Sequence, residues 1–165
     1  MQGAGTIGPP TGLPLGGGRT VDAVTQSDAA AICAGLRKKH FLAGRVRWLQ
    51  DWSSCAELER FLWVEAAGIA HRENWIVSVG PRIPVLRSLS ELSVAELACP
   101  REYNSDAARV AWFGDQLEMD GPKIWRAWEV RFRGYYQAIY SVVELWSDVS
   151  ASHIKFKQRD DDDEA

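Results

Sequence analysis

Residues 122–146 read PKIWRAWEVRFRGYYQAIYSVVELW, and the spacing within this stretch decides the fold. Trp125, Trp128, Phe132, Tyr135, Ile139, Val142 and Trp146 follow one another at intervals of 3, 4, 3, 4, 3 and 4 residues. That is the a/d repeat of a helix with one apolar seam. Tyr136 and Val143 widen the seam toward the broader face of a helix docked in a globular core. Pro122 suits the first turn, where a missing N–H leaves no bond unmade. Glu129 lies four residues before Arg133, an orientation that supports the outer face. The polar residues after Trp146, through Ser150 and Ser152 to His153, predict an end near residue 147. Such a seam serves packing first, inside the chain, and self-association second.

Working toward the N-terminus, Asp120-Gly121 close an earlier helix that Ser105 and Asp106 start and that runs to about Met119. Ser88-Leu89-Ser90-Glu91 and Ser93-Val94-Ala95-Glu96 both have capping-box form, which predicts a short helix between 89 and 98, ending before Pro100. Ser54-Cys55-Ala56-Glu57 has the same form. Behind it Leu58, Phe61, Leu62, Ala66 and Ile69 recur at helical spacing, giving a helix over about 55–73. Ser27 and Asp28 open another to about His40, and Phe41 to Trp52 either continues it past Gly44 or breaks there. Trp75 to Val79 is β-branched and bounded by Asn74 and Gly80-Pro81, so a short hairpin near 75–86 is expected, with Ile83 to Leu86 as its second arm and Pro84 weakening it. The fold class is mainly α: a small helical domain of about five helices with a long, aromatic-striped C-terminal helix.

A chain of 165 residues suits a single core. With 46% hydrophobic and 25% charged residues it has ordinary globular composition, and its eight tryptophans carry much of the apolar area. Residues 1–25 hold seven of the 14 glycines and three of the seven prolines and read as a flexible arm. A single helical domain follows over 26–157, and 158–165 forms an acidic tail expected to be disordered. Five of the 22 acids lie in that tail, leaving 17 against 19 Lys plus Arg, so the body is near neutral and its total charge points to no polyanionic partner. Three unspaced cysteines and no secretory signal predict an intracellular, cytoplasmic protein with reduced thiols. No apolar run approaches bilayer length. An excess of Arg over Lys, 14 to 5, fits a GC-rich source such as a bacterium or phage.

Sites for chemistry are scarce. Gly3-Ala4-Gly5-Thr6-Ile7-Gly8 has the spacing of a dinucleotide-binding turn, but only two residues precede it and Pro9-Pro10 follow, so no strand and no helix N-terminus can converge on a pyrophosphate. Gly16-Gly17-Gly18-Arg19-Thr20 lacks the lysine of a phosphate loop. His40, His71 and His153 and the cysteines Cys33, Cys55 and Cys99 stand singly, without metal-ligand spacing. His71 suits a helix C-terminus better than catalysis, and Glu65, beside an apolar face where burial would raise its pKa, is expected to lie at the edge of that face and reach solvent. A helix-turn-helix over 64–77 fails at Val64 and Asn74. No catalytic residue, metal or cofactor is predicted, and the chain reads as a non-enzymatic binding or assembly protein acting through protein–protein contacts. A homo-oligomer or protein partner would meet it through Trp125, Trp128, Phe132, Tyr135 and Trp146. The alternative is a nucleic-acid-binding accessory or regulatory protein using Arg37, Lys38, Lys39, Arg45, Arg47 and Trp48, where cations alternate with rings that could stack on bases.

Overall fold

The glycine at position 44 settles whether the first helix breaks. In the computed structural model, which describes residues 37–76 and 85–163, helix α1 (Lys38–Leu49) runs straight through it and stops at Gln50, whose φ of 50° is left-handed. A Cβ at Gly44 would sit 2.8 Å from the Cβ of Ser150, so the glycine lets α1 lie against the last helix. Arg37 is extended (φ −64°, ψ 144°), and the helix expected from Ser27 falls on residues outside the described ones as far as 36. A 3-10 turn at Trp52–Ser54 leads into α2 (Cys55–Arg72), close to the expected 55–73. Ser54 takes the cap position, but its hydroxyl donates to Asp51 instead of capping (2.8 Å).

The expected hairpin falls largely on residues 77–84, outside the described ones. Trp75 and Ile76 are not in a strand, and Val85 and Leu86, expected extended, open helix α3 (Val85–Ala98). The serines read as caps are instead inside α3. Ser90 and Ser93 donate their hydroxyls to the carbonyls of Leu86 and Leu89, each at 2.8 Å, so they are satisfied without water. Ten of the 14 residues of α3 are buried, and it is the central helix, packed on α2, on α5 (Asp106–Leu117) and on the last helix. A single turn, α4 (Pro100–Tyr103), links α3 to α5. Ser105 caps α5 as its sequence predicts, accepting the N–H of Ala108 at 3.2 Å.

The last helix is one continuous rod in three parts: α6 (Gly121–Ala127), a π turn (Trp128–Phe132) and α7 (Arg133–Asp163). It does not end near residue 147 but continues helically to Asp163. Its inner face is Ile124, Trp128, Phe132, Tyr136, Ile139, Val143 and Trp146, each no more than 5% exposed. This differs from the expected seam at Trp125, Tyr135 and Val142. The π turn is the reason: its i→i+5 bonds widen the turn, so residues four apart stay in line instead of drifting around the axis.

Candidate functional site

Helix α1 carries the basic-aromatic segment. Leu42, Ala43 and Val46 are buried, which leaves the cations at the edges of the helix within reach of acids on its neighbours. Lys38 pairs with Glu57, and Lys39 with Glu65 at 3.8 Å while its ammonium sits 4.6 Å from the centre of the Trp146 ring. Arg45 reaches Asp51 at 2.6 Å. Burial would push that carboxyl up, but the hydroxyls of Ser53 and Ser54 and the Arg45 guanidinium hold it below its ordinary range. Arg47 donates to Ser147 Oγ at 2.7 Å and Asp148 at 3.0 Å, lies 3.9 Å from Glu144 and covers the Trp48 ring. Four of the five cations therefore face carboxylates of the same chain. Exposed pairs of this kind add little stability, yet they cancel the positive field that phosphate would follow. Arg37 and Trp48 remain exposed at opposite ends of the segment.

The residues expected at a protein interface are mostly inside. Trp128 and Phe132 are fully buried and Trp146 is 5% exposed, so no partner meets them in the folded chain. Tyr135 lies flat on Trp75 (centroids 4.2 Å apart, 11° between planes), and its hydroxyl accepts the N–H of Ile76 at 3.1 Å. Of the set only Trp125 reaches the surface substantially.

A polar network that sequence spacing gave no sign of joins three helices. Arg109 of α5 forms a two-pronged bond with Glu96 of α3, Nε to Oε2 at 2.8 Å and Nη2 to Oε1 at 2.7 Å. The Tyr136 hydroxyl of α7 donates to the same carboxylate. Asp106 accepts from Arg109 at 3.4 Å and pairs with Arg133 at 2.7 Å. Burial and then the Glu96 charge raise the Tyr136 phenol, and the Glu96 bonds raise the Arg109 guanidinium, so both keep their protons at any ordinary pH. The members are 40 and 13 residues from Glu96 along the chain, too far for any motif to reveal. The cluster ties α3, α5 and α7 together, and within it the Arg133 Nε is buried without a partner among the described residues.

No protein-family model, no curated protein and no solved structure matches the chain.

What the described residues can do chemically therefore follows from geometry alone. Among them no group of three or more His, Cys, Asp or Glu could hold a metal, and no helix is long and apolar enough to cross a membrane. Burial, with the charges of Glu59 and Asp51, pushes the Cys55 thiol up to about 11, and burial also raises Cys99, so neither is a thiolate at neutral pH. His71 sits exposed in the last turn of α2, and Glu65 is half-buried beside Lys39.

Among the described residues the carboxyl whose proton affinity is raised is Glu59, in a cleft of about 310 Å³ between α2 and α3 lined by Ala56, Arg60, Trp63, Arg87 and Glu91. Burial, and then the Glu91 charge, pushes it up to about 7, against the pull of Arg87. A carboxyl raised from 4.5 in the unfolded chain stabilises the fold below that pH, and the contribution is lost as pH rises through about 7. Thermal melts of wild type are expected to show this decline between pH 5 and about 8, and Glu59→Gln to flatten it. A wild-type curve already flat in that window would contradict the assignment.

Proposed function

We propose that the chain is a non-enzymatic helical binding or assembly protein that works through protein–protein contacts. The observation that carries this reading is the distribution of its largest apolar side chains. Trp48 and Leu49 are each 52% exposed, Trp63 is 46%, and Leu145 is 60%, while the core beneath them is already filled by Trp128, Phe113 and Phe132. Exposed rings and long aliphatic chains of this size are what interfaces bury, and tryptophan is the side chain most enriched where binding energy concentrates. The internal pairing of Lys38, Lys39, Arg45 and Arg47 weighs against the nucleic-acid alternative.

Light scattering on the full chain across a concentration series tests the proposal. The mass is expected to rise above the 18.4 kDa of one chain toward twice that value, and to do so without strong dependence on salt. A parallel titration with a single-stranded oligonucleotide at low ionic strength is expected to show no binding. A chain that stays at 18.4 kDa and binds the oligonucleotide with an affinity that falls steeply with salt would overturn the proposal in favour of the alternative.

A further inference from the structure

The cleft between α2 and α3 brings together more chemistry than the proton of Glu59. Ala56, Glu59, Arg60 and Trp63 share one face of α2, and Arg87 and Glu91 stand one turn apart on α3. Ala56 adds little bulk at one end, and the Trp63 indole, 46% exposed, lines the other. The volume of about 310 Å³ is at the small end of the range for pockets that take small molecules. Two guanidinium groups line the cleft with donors to spare. Among the described residues no carboxylate lies within ion-pair distance of Arg60. Arg87 gives its Nε to Glu91 at 2.9 Å, and its two terminal nitrogens meet no acceptor among the described residues. Burial and the Glu91 charge keep a proton on Glu59 up to about pH 7. Below that pH two cations face the Glu91 carboxylate alone, which leaves the cleft a surplus of one positive charge.

We infer that this cleft binds a small aromatic monocarboxylate, its ring laid on Trp63 and its carboxylate held by Arg60 and the free end of Arg87. A carboxylate suits the site because its two oxygens match the fork of a guanidinium. A phosphate dianion would exceed the surplus of one charge and meet Glu91, and an ammonium would be opposed by both arginines. The ring suits Trp63, since flat aromatic bodies gain by offset stacking on an indole. Around Glu59 stand Cys55, a neutral thiol, and Arg60 on its own helix, and Arg87 and Glu91 on α3. A protonated Glu59 adds an O–H donor beside the bound anion, whereas an ionised one sets a like charge there. Binding is therefore strongest below about pH 7 and declines as pH rises through that value, while a bound cation would follow the opposite course. The site goes beyond the assembly reading, which Trp48, Leu49 and Leu145 carry without Trp63. A monomer could hold the ligand equally well.

Calorimetric titration of the full chain with 2-naphthoate, and in parallel with 2-naphthylmethylamine, tests this between about pH 5.5 and 8.5. The two probes share their rings and differ in charge. The acid is expected to bind more tightly than the amine, and about tenfold more weakly at the top of the pH range than at the bottom. Arg60→Gln is expected to weaken it about tenfold, and Trp63→Leu several-fold. Glu59→Gln should remove the pH dependence. Arg72→Gln takes one cation from the same helix outside the cleft and should bind as wild type does. An amine that binds more tightly than the acid overturns the site, and so does an affinity for the acid that rises with pH. Equal losses in Arg60→Gln and Arg72→Gln, no loss in Arg60→Gln, or no binding of the acid at any pH would overturn it as well.

Discussion

Arg109→Ala is expected to cost the fold about 3–5 kcal/mol, the usual penalty for leaving one partner of a buried ion pair behind. Glu96 is only 5% exposed, and without the guanidinium its carboxylate would keep the Tyr136 hydroxyl as its sole partner among the described residues. For a chain of this size that corresponds to a fall in melting temperature on the order of 10 °C. Glu96→Gln should lose less, because the amide oxygen still accepts from Arg109 Nε and Tyr136 and Arg109 keeps Asp106 as a counter-charge, although the amide NH2 then faces an Arg109 N–H. A combined Glu96→Leu/Arg109→Met/Tyr136→Phe replacement is expected to recover much of the loss, since taking the Tyr136 hydroxyl away with the ion pair leaves no buried donor without its acceptor. Thermal and urea unfolding of the three variants checks this. An Arg109→Ala protein within about 1 kcal/mol of wild type would show that the pair adds no more than a surface contact.

Gly44→Ala reverses a general rule. Alanine inside a helix normally stabilises by roughly 0.5–1 kcal/mol relative to glycine. Here the new methyl would stand 2.8 Å from the Cβ of Ser150, backbone-anchored on both sides, so α1 and α7 must move apart. Overpacking of this kind costs about 1–3 kcal/mol, and the net effect is expected to be destabilising. Ser150→Gly on its own weakens α7 slightly, but combined with Gly44→Ala it vacates the contact. The double variant should therefore be more stable than the sum of the singles predicts, a coupling read directly from a double-mutant cycle. Additive single effects would mean the two helices do not touch at this point.

The variants bear on what the sequence could disclose. Helix α2 and the cap at Ser105 were legible because their signals are local: a polar start, then apolar residues recurring at helical spacing. The last helix was legible as a helix, yet its phase was not. The spacing of Trp125, Tyr135 and Val142 fits an unbroken α-helix, and with the π turn at Trp128–Phe132 the inner face takes in Ile124 and moves Tyr136 and Val143 from the edge of the seam to its centre. Helix α3 was underestimated because its serines imitate caps, which set the start at 89 although the helix opens at Val85. The pairing of the basic segment on α1 could not be read from the segment itself, because most of the acids facing it come from elsewhere, Asp148 lying 101 residues beyond Arg47. Charge balance across a fold is a tertiary property, and no window of sequence contains it.

Helix α3 has a further consequence. With ten of its 14 residues covered by α2, α5, α7 and α1, it has almost no side of its own to turn to solvent. An isolated α3 would be a sticky rod, and an intermediate missing any one neighbour would leave an apolar wall open along its length. Partial structures are therefore penalised at every step, and the domain gains stability only when its last neighbour arrives. Unfolding of the described helices is therefore expected to be all-or-none, with no half that could be cut away and kept, because their middle belongs to every part at once.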